Sequence, residues 1–147
     1  MPKPFLFSLE KVLAYRGQLE DQAKMRLAKA QQAYAAQVQV VENLRRALDD
    51  HIHSLYRKKE TSAADIWLWG HYKERLEADV EQAERAVLEL AQALNKARRE
   101  LVMRAKDRKL LQKLKDNQKK SHDKDEQDKE QKGFDEMVAV RYRPTTF

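Results

Sequence analysis

The chain has 147 residues, of which 37% are charged, with three glycines, three prolines, no cysteine and a net charge of +6. That composition excludes a disulfide framework and thiolate chemistry, and no apolar run approaches the ~20 residues of a membrane-spanning helix. Ala, Leu, Glu, Lys, Arg and Gln dominate and the prolines stand only at 2, 4 and 144, so long helices are expected instead.

The opening stretch MPKPFLFSLEKVL lacks the apolar core of a signal peptide, which makes a cytoplasmic protein the expectation. Ser8 is the expected N-cap of a first helix, with Glu10 in its first turn and Phe7 and Val12 as a hydrophobic staple. Leu9, Val12, Leu19, Ala23, Leu27, Ala30, Tyr34, Val41, Leu44, Leu48, Ile52 and Leu55 then recur mostly at three- and four-residue steps. Two successive four-residue steps about Ala23 and Leu27 predict a stutter, and Arg16 and Gln37 interrupt the stripe as polar seam residues.

The stretch KKETSAAD interrupts this helix. Ser62 followed by Asp65 predicts a capping box, and Lys58 and Lys59 suit the end of the preceding helix. The expected architecture is an all-α, rod-like antiparallel coiled-coil hairpin over residues 1–115. It comprises a helix over 8–59, a turn at 59–62 and a helix over 62–115. With that turn Leu9 falls near Leu114, and at 1.5 Å per residue each arm is about 75–80 Å long.

The second helix reads Ile66, Trp69, Lys73, Leu76, Val80, Ala83, Val87, Leu90, Leu94, Ala97 and Leu101 at strictly alternating three- and four-residue steps. The same register then meets Arg104, Arg108, Leu111 and Lys115, so the seam loses its apolar character. Residues 116–147 are expected to form an unpaired extension. The stretch 116–132 has no large apolar residue and reads as a bare solvated helix or disorder. Beyond Gly133, Phe134, Met137, Val138 and Tyr142 predict a short amphipathic segment, as consistent with a docking element as with a frayed end.

Charge is unevenly spread. Residues 96–120 carry 11 basic and 3 acidic side chains, whereas residues 61–95 carry 3 and 7. The basic run has no aromatics for stacking nucleotides, so a solvated face or an acidic protein partner is the simpler reading. His51, His53, His71 and His122 include no i, i+4 ligand pair, so no metal is expected. A two-stranded seam encloses no compartment for a substrate, and neither an enzyme nor a cofactor is expected.

The stretch DIWLWGHY holds both tryptophans. On a helical projection Trp69 lies in the seam, Tyr72 at its edge, and Trp67 away from the partner helix. An outward Trp beside other aromatics is the composition of an interface hot spot.

Several stretches together resemble the FliJ family, cytoplasmic components of the bacterial flagellar type III export apparatus. They are FLFSLEKVLAYRGQLEDQAKMRLAKAQ, YKERLEADVEQAERAV, RKLLQKL and EQKGFDEMVAVR, spanning nearly the whole chain. The resemblance is most specific in the pattern Phe5, Phe7, Leu9, Val12, Leu13 and Arg16. It implies a non-enzymatic stalk similar to the coiled coil of the rotary ATPase gamma subunit. Its partners would be the hexameric export ATPase, the cytoplasmic domain of the export gate and export chaperones. It also implies flagellar biogenesis and motility, at the flagellar base peripheral to the inner membrane, with membrane contact only through the gate and no nucleic acid.

By the same resemblance the gate would meet a patch matching Tyr72, Leu76, Asp79 and Ala83. Together with the outward tryptophan, the candidate gate contacts are Trp67, Tyr72 and Leu76. The candidate ATPase contacts are Arg98, Arg99, Arg104, Arg108 and Lys109. A basic coiled coil that binds nucleic acid, or a homodimeric structural coiled coil, are the rival readings.

Overall fold

The computed structural model describes residues 3–141, which form two α-helices, α1 (Glu10–Arg57) and α2 (Ala63–Arg141), packed against each other with no strand among the described residues. The connection bears out the capping box. Asp65 N–H donates to Ser62 Oγ at 3.1 Å, Ser62 N–H donates to Asp65 Oδ2 at 3.2 Å, and the Ser62 carbonyl accepts from Ile66 N–H at 3.1 Å. The chain therefore leaves one helix and restarts the next within five residues, and a connection this short obliges α2 to run back along α1.

The start of α1 differs from expectation. The Leu9 carbonyl accepts the first helical bond, from Leu13 N–H at 2.9 Å, while Glu10 N–H donates to the Phe7 carbonyl at 3.2 Å. Leu9 thus holds the N-cap position and Ser8 precedes it. Phe7 is buried with Leu13 and Leu111, with Phe5 packed against them, whereas Val12 is exposed. The staple is replaced by a contact across the seam, because a Phe beside a second helix buries more area there than against its own first turn.

The chain divides into two compact units, Asp21–Val102 and Met1–Glu20 with Met103–Phe147. In the unit Asp21–Val102, α1 turns Ala23 and Val41 inward against Leu76, Ala83, Leu94 and Ala97 of α2, all buried. Gln37 Nε2 donates to the Ala83 carbonyl at 3.1 Å, and Arg26–Glu100 and Arg45–Glu84 ion pairs flank the seam. The seam begins at Trp69, since Ile66 is left half exposed.

In the other unit the seam is largely polar. Arg16 Nη1 donates to the Asp107 carbonyl at 2.8 Å, Glu20 pairs with Arg108, and Lys115 pairs with Glu10 at 2.8 Å. The N-terminal segment extends the contact past position 115. The Phe5 ring lies 5.7 Å from that of His122, whose Nε2 donates to the Lys3 carbonyl at 2.9 Å. Beyond this, α2 continues without a break through Gly133 to Arg141, and Phe134, Met137 and Val140 are exposed. Tyr142 lies outside the described residues.

These contacts correct the register of α1. Its inward positions are 13, 16, 20, 23, 27, 30, 34, 37, 41, 44, 48, 51 and 55, which alternate three- and four-residue steps throughout. No stutter occurs, because Glu20 and not Leu19 precedes Ala23 on the seam, and His51 stands where Ile52 was expected. Leu9 and Val12 fall outside it. An acidic residue holds a seam position here because Arg108 neutralises it, and Glu20 is only 6% exposed.

Two predictions follow from this geometry. Arg108→Ala leaves the Glu20 carboxylate without its guanidinium and should cost roughly 2–4 kcal/mol in urea unfolding, whereas Glu20→Leu with Arg108→Leu should recover most of the loss. At the turn, hydrogen bonds from Ser62, backbone first and then hydroxyl, with the Lys58 charge, hold the Asp65 carboxyl below its ordinary range. A depressed acid stabilises the fold above the ordinary carboxylate range, and that contribution is lost as pH falls through the depressed value. Asp65→Asn should lower the melting temperature at pH 7, and the gap from wild type should close on acidification.

Candidate partner-binding surfaces

The aromatic stretch after the turn lies in the unit Asp21–Val102, and its side chains separate by helical phase. Trp69 points at α1, where its Nε1–H donates to the His51 carbonyl at 2.8 Å. His51 Nε2 donates in return to the Trp69 carbonyl at 2.8 Å, and the two rings stack with centroids 5.5 Å apart. The ammonium of Lys73 covers the Trp69 ring at 5.5 Å, and Tyr72 meets His51 edge-on at 4.6 Å. This reciprocal pair joins the two helices just below the turn, and it satisfies the indole N–H that burial would otherwise orphan.

Trp67 is on the other side of α2. It is 62% exposed and touches the ring of His71, one turn further on, at 4.1 Å. Tyr72 is half exposed, and Tyr56, Ile66 and Leu68 are exposed as well. A cleft of about 250 Å³ opens between His51, Leu55, Leu68, Trp69 and Tyr72. Together these make the end of this unit an apolar, aromatic-rich surface with cationic Lys58 at its edge.

Leu76 does not belong to that surface. It is 6% exposed and Ala83 is 7% exposed, both facing α1, and Asp79 is half buried. Of the three candidate gate contacts, Trp67 and Tyr72 are therefore available to a partner and Leu76 is a seam residue. Gly70 has no structural obligation, since a Cβ there would meet nothing within 4 Å.

The candidate basic contacts divide similarly. Arg98 and Arg99 are exposed on α2 in the unit Asp21–Val102. In the other unit Lys109 is exposed, Arg104 is half buried at a seam position, and Arg108 is held by Glu20. Arg108 serves the hairpin first. Arg16 and Gln37 were legible as polar seam residues, and a strict count of threes and fours back from Leu55 would have added His51 and Glu20, which preferring the nearest apolar residue at each step hides.

Among the described residues no group of His, Asp or Glu is arranged to hold a metal ion, and no helix is long and apolar enough to cross a membrane. The model of the family described as Flagellar FliJ protein matches residues 5–145. The chain belongs to the FliJ family. No curated protein and no solved structure matches it. Membership in this family supports a flagellar, export-related role, and the family is a structural export component, not a family of enzymes.

The two tryptophans of this FliJ-family chain should respond oppositely to truncation. Trp69→Ala removes a seam anchor and its hydrogen bond and should cost about 2–3 kcal/mol in urea unfolding. Trp67→Ala should stay within about 0.5 kcal/mol of wild type, as expected for an exposed side chain.

Proposed function

We propose that this protein is a non-enzymatic stalk and adaptor of the flagellar export apparatus. In this reading it binds the hexameric export ATPase and links it to the cytoplasmic domain of the export gate and to export chaperones. The observation that carries the reading is the family match over residues 5–145. A chain built on one two-helix seam offers external surfaces in place of an enclosed site, which suits a protein whose work is binding.

Trp67 and Tyr72 are the proposed gate contacts, as exposed aromatics on a rigid helix that lose little side-chain entropy on binding. Arg98, Arg99 and Lys109 are the proposed ATPase contacts, complementary to an acidic surface and steering association at low salt. Arg104 is half buried at a seam position, and Arg108 is bound to Glu20. The expected location is cytoplasmic, peripheral to the inner membrane at the flagellar base.

The reading is tested by two exposed double variants of the full chain. Trp67→Ala with Tyr72→Ala should weaken binding to the gate's cytoplasmic domain by about tenfold or more while leaving ATPase stimulation intact. Arg98→Glu with Lys109→Glu should abolish stimulation of the export ATPase while leaving gate binding intact. Arg98 and Lys109 make no seam contact, so that variant should melt as wild type does, whereas loss of the Tyr72 ring from His51 should lower the melting temperature of the aromatic variant slightly. Wild-type behaviour of both variants in both assays would refute the assignment.

A further inference from the structure

The outward side of α2 between Met103 and Lys124 is not used by the hairpin. Met103, Lys106, Leu110, Lys113, Lys120 and Lys124 follow one another at three- and four-residue steps with Asn117 completing the series, and every one is exposed. No acidic residue interrupts the series. Leu110 is 66% and Met103 55% exposed, and Lys106, Lys109 and Lys113 surround Leu110 to form a shallow cleft of about 310 Å³. The lysine stems thus extend the apolar surface around Leu110 while their ammonium groups stand at its rim.

We propose that this face docks directly on an anionic membrane surface, with Leu110 and Met103 entering the headgroup layer and the lysines contacting lipid phosphates. This adds a direct contact to the indirect one expected through the gate. Charge complementarity is the first ground, because a series of lysines without an acid matches a plane of negative charge. The apolar pair at one end is the second, since a basic amphipathic helix lying in the interface buries only such a shallow strip.

Nucleic acid fits less well. The face carries lysine only, the arginines at 104 and 108 being turned to the seam, whereas phosphate-backbone recognition favours the bidentate guanidinium. There is also no aromatic residue between 73 and 133 on which a base would stack. A partner helix fits less well too, because the apolar positions stop at Leu110 and a helix–helix seam needs them to recur.

The test is co-sedimentation of the full chain with phosphatidylcholine vesicles and with vesicles containing about 30% phosphatidylglycerol at low salt. Binding is expected only to the anionic vesicles, and it should fall steeply toward roughly 0.5 M salt. Lys106→Gln with Lys113→Gln should lower the partition coefficient about thirtyfold, and Leu110→Ser about fivefold. Lys58→Gln with Lys59→Gln, which removes equal charge at the turn, should retain binding. Failure to bind anionic vesicles would overturn the proposal, as would equal binding to neutral ones or equal loss in the Lys58 and Lys59 control. Tighter binding to a short DNA duplex at the same salt would overturn it in favour of a nucleic-acid surface.

Discussion

Among the described residues the core of each unit is the seam between α1 and α2, and everything else depends on how its register is held. The seam residues are mostly Ala, Leu and Val at alternating steps of three and four, and such a pattern matches itself again after a shift of one heptad. Apolar contacts alone would hold the helices together without choosing among these alignments. The choice falls to the polar members. Arg16 reaches the Asp107 carbonyl, Glu20 pairs with Arg108, Gln37 reaches the Ala83 carbonyl, and His51 and Trp69 exchange hydrogen bonds. Each loses its partner on the other helix if the helices slide, so each opposes slippage.

The seam also changes character along the helices. The unit Asp21–Val102 is held by apolar residues, with ion pairs at the margins. The unit that contains the N-terminal segment rests on Phe7, Leu13 and Leu111 and on charged side chains that face one another. Charges used in this way are committed to the hairpin, which is why Arg108 differs in role from the exposed Arg98 and Lys109, although all three belong to one basic run. A charge run on a coiled coil therefore has to be divided by helical phase before function is assigned to it.

The same division applies to the aromatic residues after the turn. Trp67 and Trp69 are two positions apart and so lie roughly 160° apart around the helix axis. One closes the hairpin against His51 and the other faces outward beside His71. The surfaces proposed for partners in this FliJ-family chain are what the seam leaves over: an aromatic surface near the turn and basic residues along α2.

Sequence alone determined the all-helical class, the position of the turn, the capping box at Ser62 and Asp65, and the inward face of α2 from Trp69 to Leu101. All of these rest on local chemistry: helix propensity, a cap three residues from its partner, and an apolar period unbroken over several heptads. The phase of α1 was not legible in the same way. Arg16 and Gln37 were legible as polar members of the stripe, but at Glu20 beside Leu19 and His51 beside Ile52 hydrophobicity named the wrong neighbour. Only the tertiary structure decided these positions, because a carboxylate or imidazole belongs in a seam when the other helix supplies its counter-charge or hydrogen-bond partner. That partner lies 88 residues away for Glu20 and 18 for His51.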